Sequence, residues 1–343
     1  MLFVFYVFFC TLFILLLNRY LLKKNYLVSV SGDTHQKFTS KIKIPLTGGI
    51  LVFLGLLYNF DQYQLSYVLF YFLILLLGIF SDLKLIKSAK MRLIFQLFIV
   101  FIFVSHNDII ISDTRVDLLN DILGNQIFNY FFVSFCILIV INGSNFFDGL
   151  NTLNLGYYLL ISFIIIFLSF DDQLIITNNL LNNLIFILII GFLINSFNKL
   201  FIGDSGSYLL GFVFSVMLIN LYIVNNQISP FFIILLLWYP SFETLFSMIR
   251  KNILNRSPMR PDSRHLHQLI FYFIKQKYSK KVFQANLISA NIINLYNLLI
   301  FLISSQFIMN TQIQIILILL NLIVYTVIYF KLFVYRLDRK SVV

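Results

Sequence analysis

Long, nearly unbroken apolar runs alternate with short polar breaks along the whole chain. Runs rich in Leu, Ile, Phe and Val occupy 2–22, 46–60, 65–80, 92–105, 127–143, 153–170, 183–198, 207–224, 230–249, 284–308 and 313–335. A helix that crosses a bilayer needs about 20 mostly apolar residues, and the shorter runs are expected to extend a few residues into their flanks. The pattern predicts an all-α integral membrane protein. Its architecture would be a polytopic bundle of about eleven transmembrane helices, with ten also compatible. It reads as one domain over 1–343 with no separate soluble domain and no internal repeat. The longest polar stretches are 106–126 and 250–283.

Composition removes the soluble alternatives. Of the 343 residues, 60% are hydrophobic and 11% charged, against about 45–50% and roughly 25% in soluble domains. The 41 Phe and 19 Tyr exclude disorder. The first run is followed, not preceded, by basic residues (Arg19, Lys23, Lys24), so it reads as a retained helix rather than a cleavable signal peptide. Cys10 and Cys136 lie in apolar runs and offer neither a disulfide framework nor metal-ligand spacing.

The net charge of +11 has a topological reading. With the N-terminus outside, segments 23–45, 81–92, 142–152, 199–206, 250–283 and 336–343 face the cytoplasm. They hold 22 of the 25 Lys and Arg. Arg19 and Lys331 lie near inner helix ends, and Arg115 alone falls outside. This asymmetry sets orientation by the positive-inside rule and places the C-terminus inside. The basic charge therefore belongs to the membrane, and no nucleic-acid partner is expected. A transporter places its ionisable residues near mid-bilayer. Here they gather at the cytoplasmic face, which suits a substrate that is part water-soluble and part lipid.

Several segments on that face carry chemistry. Asn142-Gly-Ser-Asn145-Phe-Phe-Asp148-Gly149 closes the fifth run. Two amides and a carboxylate at three-residue spacing can share one helix face, and glycines allow a ligand to approach the backbone. A capped polar helix end is the plainer reading. Gly203-Asp204-Ser205-Gly206-Ser207 opens the eighth run. Helix N-termini favour phosphate and carboxylates bind Mg²⁺, and N-capping by either serine is compatible with that role. In the last inner loop Arg264-His265-Leu266-His267 follows Pro258 and Pro261. The cluster suits phosphate or sugar, since a His-x-His pair lacks the further ligands zinc requires. Lys41 precedes Pro45-Leu46-Thr47-Gly48-Gly49, and Ser81-Asp82 ends the third run ahead of Arg92 and Gln96. For the lysines alone, snorkelling to headgroups is the stronger reading. Glu243, the sole glutamate, is expected to pair structurally with Arg250 or Lys251.

In this order the segments resemble the polyprenyl-phosphate N-acetylhexosamine-1-phosphate transferases of the glycosyltransferase 4 group. These enzymes start peptidoglycan, teichoic acid and O-antigen (lipopolysaccharide) synthesis. The resemblance runs from about Lys23 to His267. Pro45-Leu46-x-Gly48-Gly49, Arg92 with Gln96, and Ser257-Pro258 through His265-x-His267 look closer to the GlcNAc-1-phosphate branch. The MurNAc-pentapeptide branch has adjacent histidines in that loop. Two departures stand out. The family's pair of aspartates is here Ser81-Asp82, and Gln268 replaces a histidine. Either Asp82 suffices or the chain belongs to a divergent branch with a different sugar.

The resemblance implies transfer of N-acetylhexosamine-1-phosphate from a UDP-sugar to polyprenyl (undecaprenyl) phosphate, with UMP released. This would be the first membrane step of a cell-envelope glycan at the bacterial inner membrane. It implies Mg²⁺, with Mn²⁺ as a substitute, and catalytic roles for Asp82, Asp148 and Asp204. Asp204 would be the chief metal ligand and Asp148 a second. Lys41, Arg92, Asn142, Asn145, Arg264, His265 and His267 would bind substrate. A homodimer is compatible with the family. The alternatives are another UDP-N-acetylhexosamine (FucNAc, QuiNAc or MurNAc-pentapeptide type) and a transporter of lipid-linked sugar that breaks no bond.

Overall fold

Every apolar run folds as helix. The computed structural model describes residues 2–29, 43–58, 65–170, 180–255, 264–278 and 281–338. Its helices are α1 (Leu2–Lys24), α2 (Gly48–Leu57), α3 (Leu65–Asp82), α4 (Ala89–His106), α5 (Asp117–Leu123), α6 (Gln126–Phe147) and α7 (Leu153–Phe170). They continue with α8 (Leu180–Ser196), α9 (Gly203–Val224), α10 (Pro230–Leu236), α11 (Trp238–Ile253), α12 (Leu266–Lys277), α13 (Val282–Ser305) and α14 (Thr311–Asp338). Among the described residues, seven helices are long and apolar enough to cross a membrane: α1, α3, α4, α6, α9, α13 and α14. The pair α10 and α11 passes as an eighth, while α2, α7 and α8 are shorter apolar helices. The protein is a multi-pass, all-α membrane protein.

Helix α9 is the axis of the bundle. In its most apolar stretch 78% of residues are buried, against 17% in α1, which faces outward. Helices in lipid gain little from hiding apolar surface from one another, so close backbone contact must hold them. Glycines provide it. A Cβ on Gly49 of α2 would lie 2.6 Å from the Gly206 nitrogen of α9, and one on Gly211 would lie 2.8 Å from Ile141 Cα of α6. A Cβ on Gly78 of α3 would collide with the Ser205 backbone. The Gly48-Gly49 pair is thus a packing device.

The run 230–249 is one apolar stretch in sequence but two helices, bent by 73° at Leu237. Pro240 has no N–H to give to the Leu236 carbonyl, and its ring crowds that oxygen. The freed carbonyl accepts the Tyr157 hydroxyl at 2.8 Å. Trp238 Nε1 donates to Asn297 Oδ1 at 2.9 Å and ties the break to α13. Against α6, the Pro240 carbonyl packs where Gly143 has no side chain; a Cβ there would collide with it. Two short helices lie outside the apolar runs. These are α5 in the 106–126 stretch and the amphipathic α12, which packs on α13 and α14.

Arg115, the one basic residue assigned to the outside, has a structural task. Its guanidinium donates to the carbonyls of Gln227 (2.7 Å), Ile228 (3.0 Å) and Met309 (2.9 Å) and to Thr311 Oγ1 (2.6 Å). It satisfies exposed carbonyls at the junctions before α10 and α14 and ties the 106–126 stretch to them. Arg115→Ala should lower Tm by several degrees, because hydrogen bonds to a charged group contribute about 1.5–3 kcal/mol each. Thermal unfolding in detergent checks this, and an unchanged Tm would make the clamp incidental.

Candidate active site

The C-terminal ends of α3 and α6 meet the N-terminus of α9, and each brings a carboxylate. Asp82, the last residue of α3, accepts the backbone N–H of Asp204 at 2.8 Å and of Ser205 at 3.0 Å. It fills the positive end of α9 as a helix-capping anion does. Gly203 makes this approach achievable. Its φ is +68°, a region that favours glycine, and a Cβ there would lie 2.8 Å from Asp82 Oδ2. Asp148, just past the end of α6, has the Ser207 hydroxyl and the Gly203 N–H near its carboxyl. Burial pushes that carboxyl up to about 7; the two nearby donors oppose the rise, and the Asp204 charge adds to it.

Asp204 is the open member of the set. Its side chain and that of Arg92 are each 25% exposed. Arg92 Nη1 donates to Asp204 Oδ2 at 2.8 Å and to Ser81 Oγ at 2.6 Å, while the Ser81 hydroxyl donates to the same carboxylate oxygen. Ser81 is therefore a neutral bridge between Arg92 and Asp204. The Tyr208 hydroxyl stands 3.5 Å from both Arg92 Nη1 and Asp204 Oδ2.

The donor set suits a hard divalent cation. Carboxylate oxygens match Mg²⁺ or Mn²⁺. Among the described residues no three acidic, histidine or cysteine groups converge to hold an ion unaided, because both Asp82 oxygens are turned onto the α9 backbone. That agrees with the habit of Mg²⁺, which takes one or two carboxylates and completes its shell with substrate phosphate and water. Asp204 and Asp148 are the residues that could hold such an ion.

The amides of the same stretch divide their tasks. Asn142 Nδ2 donates to Gln96 Oε1 and to the Leu138 carbonyl, both at 2.9 Å, and so joins α6 to α4. Asn145 faces α9, with Nδ2 3.5 Å from the Tyr208 hydroxyl. The loop that follows is pinned from behind. Asn286 Oδ1 accepts from Asn151 N at 2.8 Å and Asn195 Oδ1 from Thr152 N at 2.5 Å, and Thr152 has a φ of +68°.

The histidine loop reaches this end of the bundle as well. His267 is buried against Gly149, where a Cβ would overlap its Nε2. His265 caps α12 and stacks on His267 with centroids 5.7 Å apart and planes 13° apart. Its Nδ1 lies 2.7 Å from Glu243 Oε1, and the Tyr325 hydroxyl donates to Glu243 Oε2 at 2.7 Å. The expected pairing of Glu243 with Arg250 or Lys251 thus gives way to His265 and Tyr325. These partners are 22 and 82 residues away in sequence, so spacing could not reveal them.

Arg264, next to His265, packs on α14. Its guanidinium covers the Phe333 ring of α14 at 5.6 Å, and its carbonyl accepts from Arg250 at 2.7 Å. A cation over a ring contributes about 0.5–1 kcal/mol at an accessible site. Arg264→Ala should accordingly cost less than about tenfold in kcat/KM, and a larger loss would return the guanidinium to the substrate. Lys41 and Ser257 through Ser263 lie outside the described residues.

An axial helix whose N-terminus gathers three carboxylates and an arginine at one end of an apolar bundle, with a histidine pair packed at Gly149, is the arrangement of a membrane-embedded enzyme. The model of glycosyl transferase family 4 matches residues 64–222, which contain Asp82, Arg92, Asp148 and Asp204. The chain is 27% identical to a Bacillus subtilis protein named probable undecaprenyl-phosphate N-acetylglucosaminyl 1-phosphate transferase, over 71% of this chain and 70% of that one. It is 28% identical to the undecaprenyl-phosphate alpha-N-acetylglucosaminyl 1-phosphate transferase of Thermotoga maritima, over 66% of this chain and 67% of that one. The enzyme of that name from Escherichia coli K12 is 27% identical, over 66% of this chain and 65% of its own length. The chain spans about two thirds of the length of these relatives. Its similarity to glycosyl transferase family 4 extends over 159 of the 343 residues.

Proposed function

We propose that the protein transfers a sugar-1-phosphate from a UDP-N-acetylhexosamine, GlcNAc in the first instance, to undecaprenyl phosphate. An oxygen of the lipid phosphate bonds to the sugar-bearing phosphorus, the bond to UMP breaks, and UMP leaves with the electron pair. One diphosphate replaces another, so the step is near thermoneutral and needs no ATP. The observation that carries this reading is the meeting of Asp82, Asp148 and Asp204 at the α9 N-terminus, at the end of a bundle otherwise made for lipid. The names of the relatives support the substrate pair. The Lys and Arg asymmetry supports a cytoplasmic position for this end, with the N-terminus outside and the C-terminus inside.

Both reactants are anions, so the site must offset their repulsion. Mg²⁺ held by Asp204 and Asp148 would neutralise diphosphate charge. Arg92 lies beside Asp204 and offers a fork-shaped donor to the lipid phosphate. His265 and His267 come from the α12 side, with His267 packed against Gly149, the residue next to Asp148. Asp82 holds the N-terminus of α9 in place, and Asn145 faces the space between α6 and α9. A phosphate monoester is already an anion at neutral pH, so little is asked of a general base.

Purified protein in nanodiscs, given undecaprenyl phosphate and a panel of UDP-sugars, tests the reading. UMP release with formation of lipid-linked sugar is expected, highest with UDP-GlcNAc. A transporter would release no UMP, and a preference for another UDP-sugar would reassign the branch. A second measurement addresses the cation. Below about pH 7 Asp148 holds a proton that a cation must displace, so metal affinity should rise with pH. The Mg²⁺-induced increase in Tm should therefore be larger at pH 8 than at pH 6. Equal increases would remove Asp148 from the cation's ligands.

A further inference from the structure

We infer that Glu243 is a positioning residue of the transfer reaction: it holds Nδ1 of His265 and so presents Nε2 of that imidazole to the anionic substrate. The inference deepens the reading above and rests on it. Glu243 is the chain's only glutamate and is 1% exposed. A carboxylate so placed is costly unless its oxygens are satisfied. Both are, one by His265 and one by Tyr325. An ionised carboxylate only accepts, so the proton of the shared bond belongs on Nδ1, which leaves Nε2 as the ring's working edge.

The scaffold under Glu243 is built for precision. It lies in the second turn of α11, three residues after Pro240, where α11 is locked onto α6 through Gly143. Thr244, the next residue, donates to the Pro240 carbonyl at 3.0 Å. Phe242 and Phe246 pack edge-on against Tyr325 at 4.9 and 5.3 Å, which steadies the second donor. His265 is held from its own side too. Gln268 Oε1 accepts its backbone N–H at 3.2 Å, and its ring lies beside Phe146 at 5.5 Å and on His267. Since His267 abuts Gly149, the row Glu243, His265, His267 leads to the residue next to Asp148. A carboxylate needed only to fasten α14 would require the Tyr325 bond alone.

A double-mutant cycle tests this, with Glu243→Gln, His265→Gln and the pair combined, alongside Tyr325→Phe. Turnover is read as UMP release and folding as Tm. Glu243→Gln should lose tenfold to a hundredfold in kcat with KM for UDP-GlcNAc changed by less than about threefold, because a misaimed imidazole fails on developing charge. The combined variant should be no slower than His265→Gln, since residues acting through one another are not additive. Tyr325→Phe should lower Tm at least as much as Glu243→Gln yet keep more activity. Multiplying losses in the combined variant, or equal losses in kcat and Tm for Tyr325→Phe and Glu243→Gln, would overturn the inference. If Glu243→Gln does not fold, Glu243→Asp replaces it. That side chain falls one methylene short of Nδ1, and full kcat would overturn the inference as well. Wild-type protein that releases no UMP from any UDP-sugar is a different result; it overturns the function itself and the inference with it.

Discussion

Asp204→Asn should abolish transfer, with a loss on the order of a thousandfold in kcat/KM, while the protein stays folded. A thousandfold loss corresponds to about 4 kcal/mol of transition-state stabilisation. The chemical reason is that Asn keeps the shape and one acceptor oxygen but loses the charge that holds a divalent cation. The structural reason is that Asp204 props up little else. Its side chain is 25% exposed, and its bonds to Arg92 and Ser81 can be kept by an amide oxygen. Kinetics across a Mg²⁺ titration, with Tm measured on the same samples, check the expectation. Wild-type turnover at any Mg²⁺ concentration would end the assignment of Asp204 to the metal.

Much of the fold is legible in the sequence because membrane helices are specified by length and apolarity alone. Each of the eleven apolar runs is helical. The break at Leu237 does not show in the apolar pattern, although its cause stands in the sequence. Pro240 deprives the Leu236 carbonyl of its partner, but the side chain that repairs it, Tyr157, is 79 residues away. The helix α12 was hidden in a loop read for its charge, although Leu266, Leu269, Ile270 and Phe273 recur at helical spacing. The acids and amides were found because charge and amide groups at helix ends are rare in so apolar a chain. Their division of labour was not legible. Only the fold shows that Asp82 faces backbone N–H groups, that Asp204 faces an arginine, and that Arg264 turns to Phe333. The same holds for Glu243, whose partners are brought by α12 and α14.

Asp82→Ala should cost both activity and stability, in contrast to Asp204→Asn. The carboxylate accepts two backbone N–H groups at the positive end of the most buried helix in the bundle. Without it those donors lose charge-assisted bonds of about 1.5–3 kcal/mol each, and the helix dipole loses its counter-charge. The N-terminus of α9 carries Asp204, Ser205 and Ser207, so any fraying there moves the Asp204 carboxylate and the hydroxyl near Asp148. A fall in Tm of roughly 5 °C or more is expected, together with a loss of about a hundredfold or more in kcat/KM. Asp82→Asn should recover part of the Tm, because the amide oxygen still accepts one backbone N–H. A residue acting only as a base or metal ligand would give the opposite pattern, with an unchanged Tm and equal inactivity in the Ala and Asn variants. Thermal unfolding and turnover of the two variants, measured against Asp204→Asn, therefore decide whether Asp82 works on the substrate or on the helix that presents its neighbours.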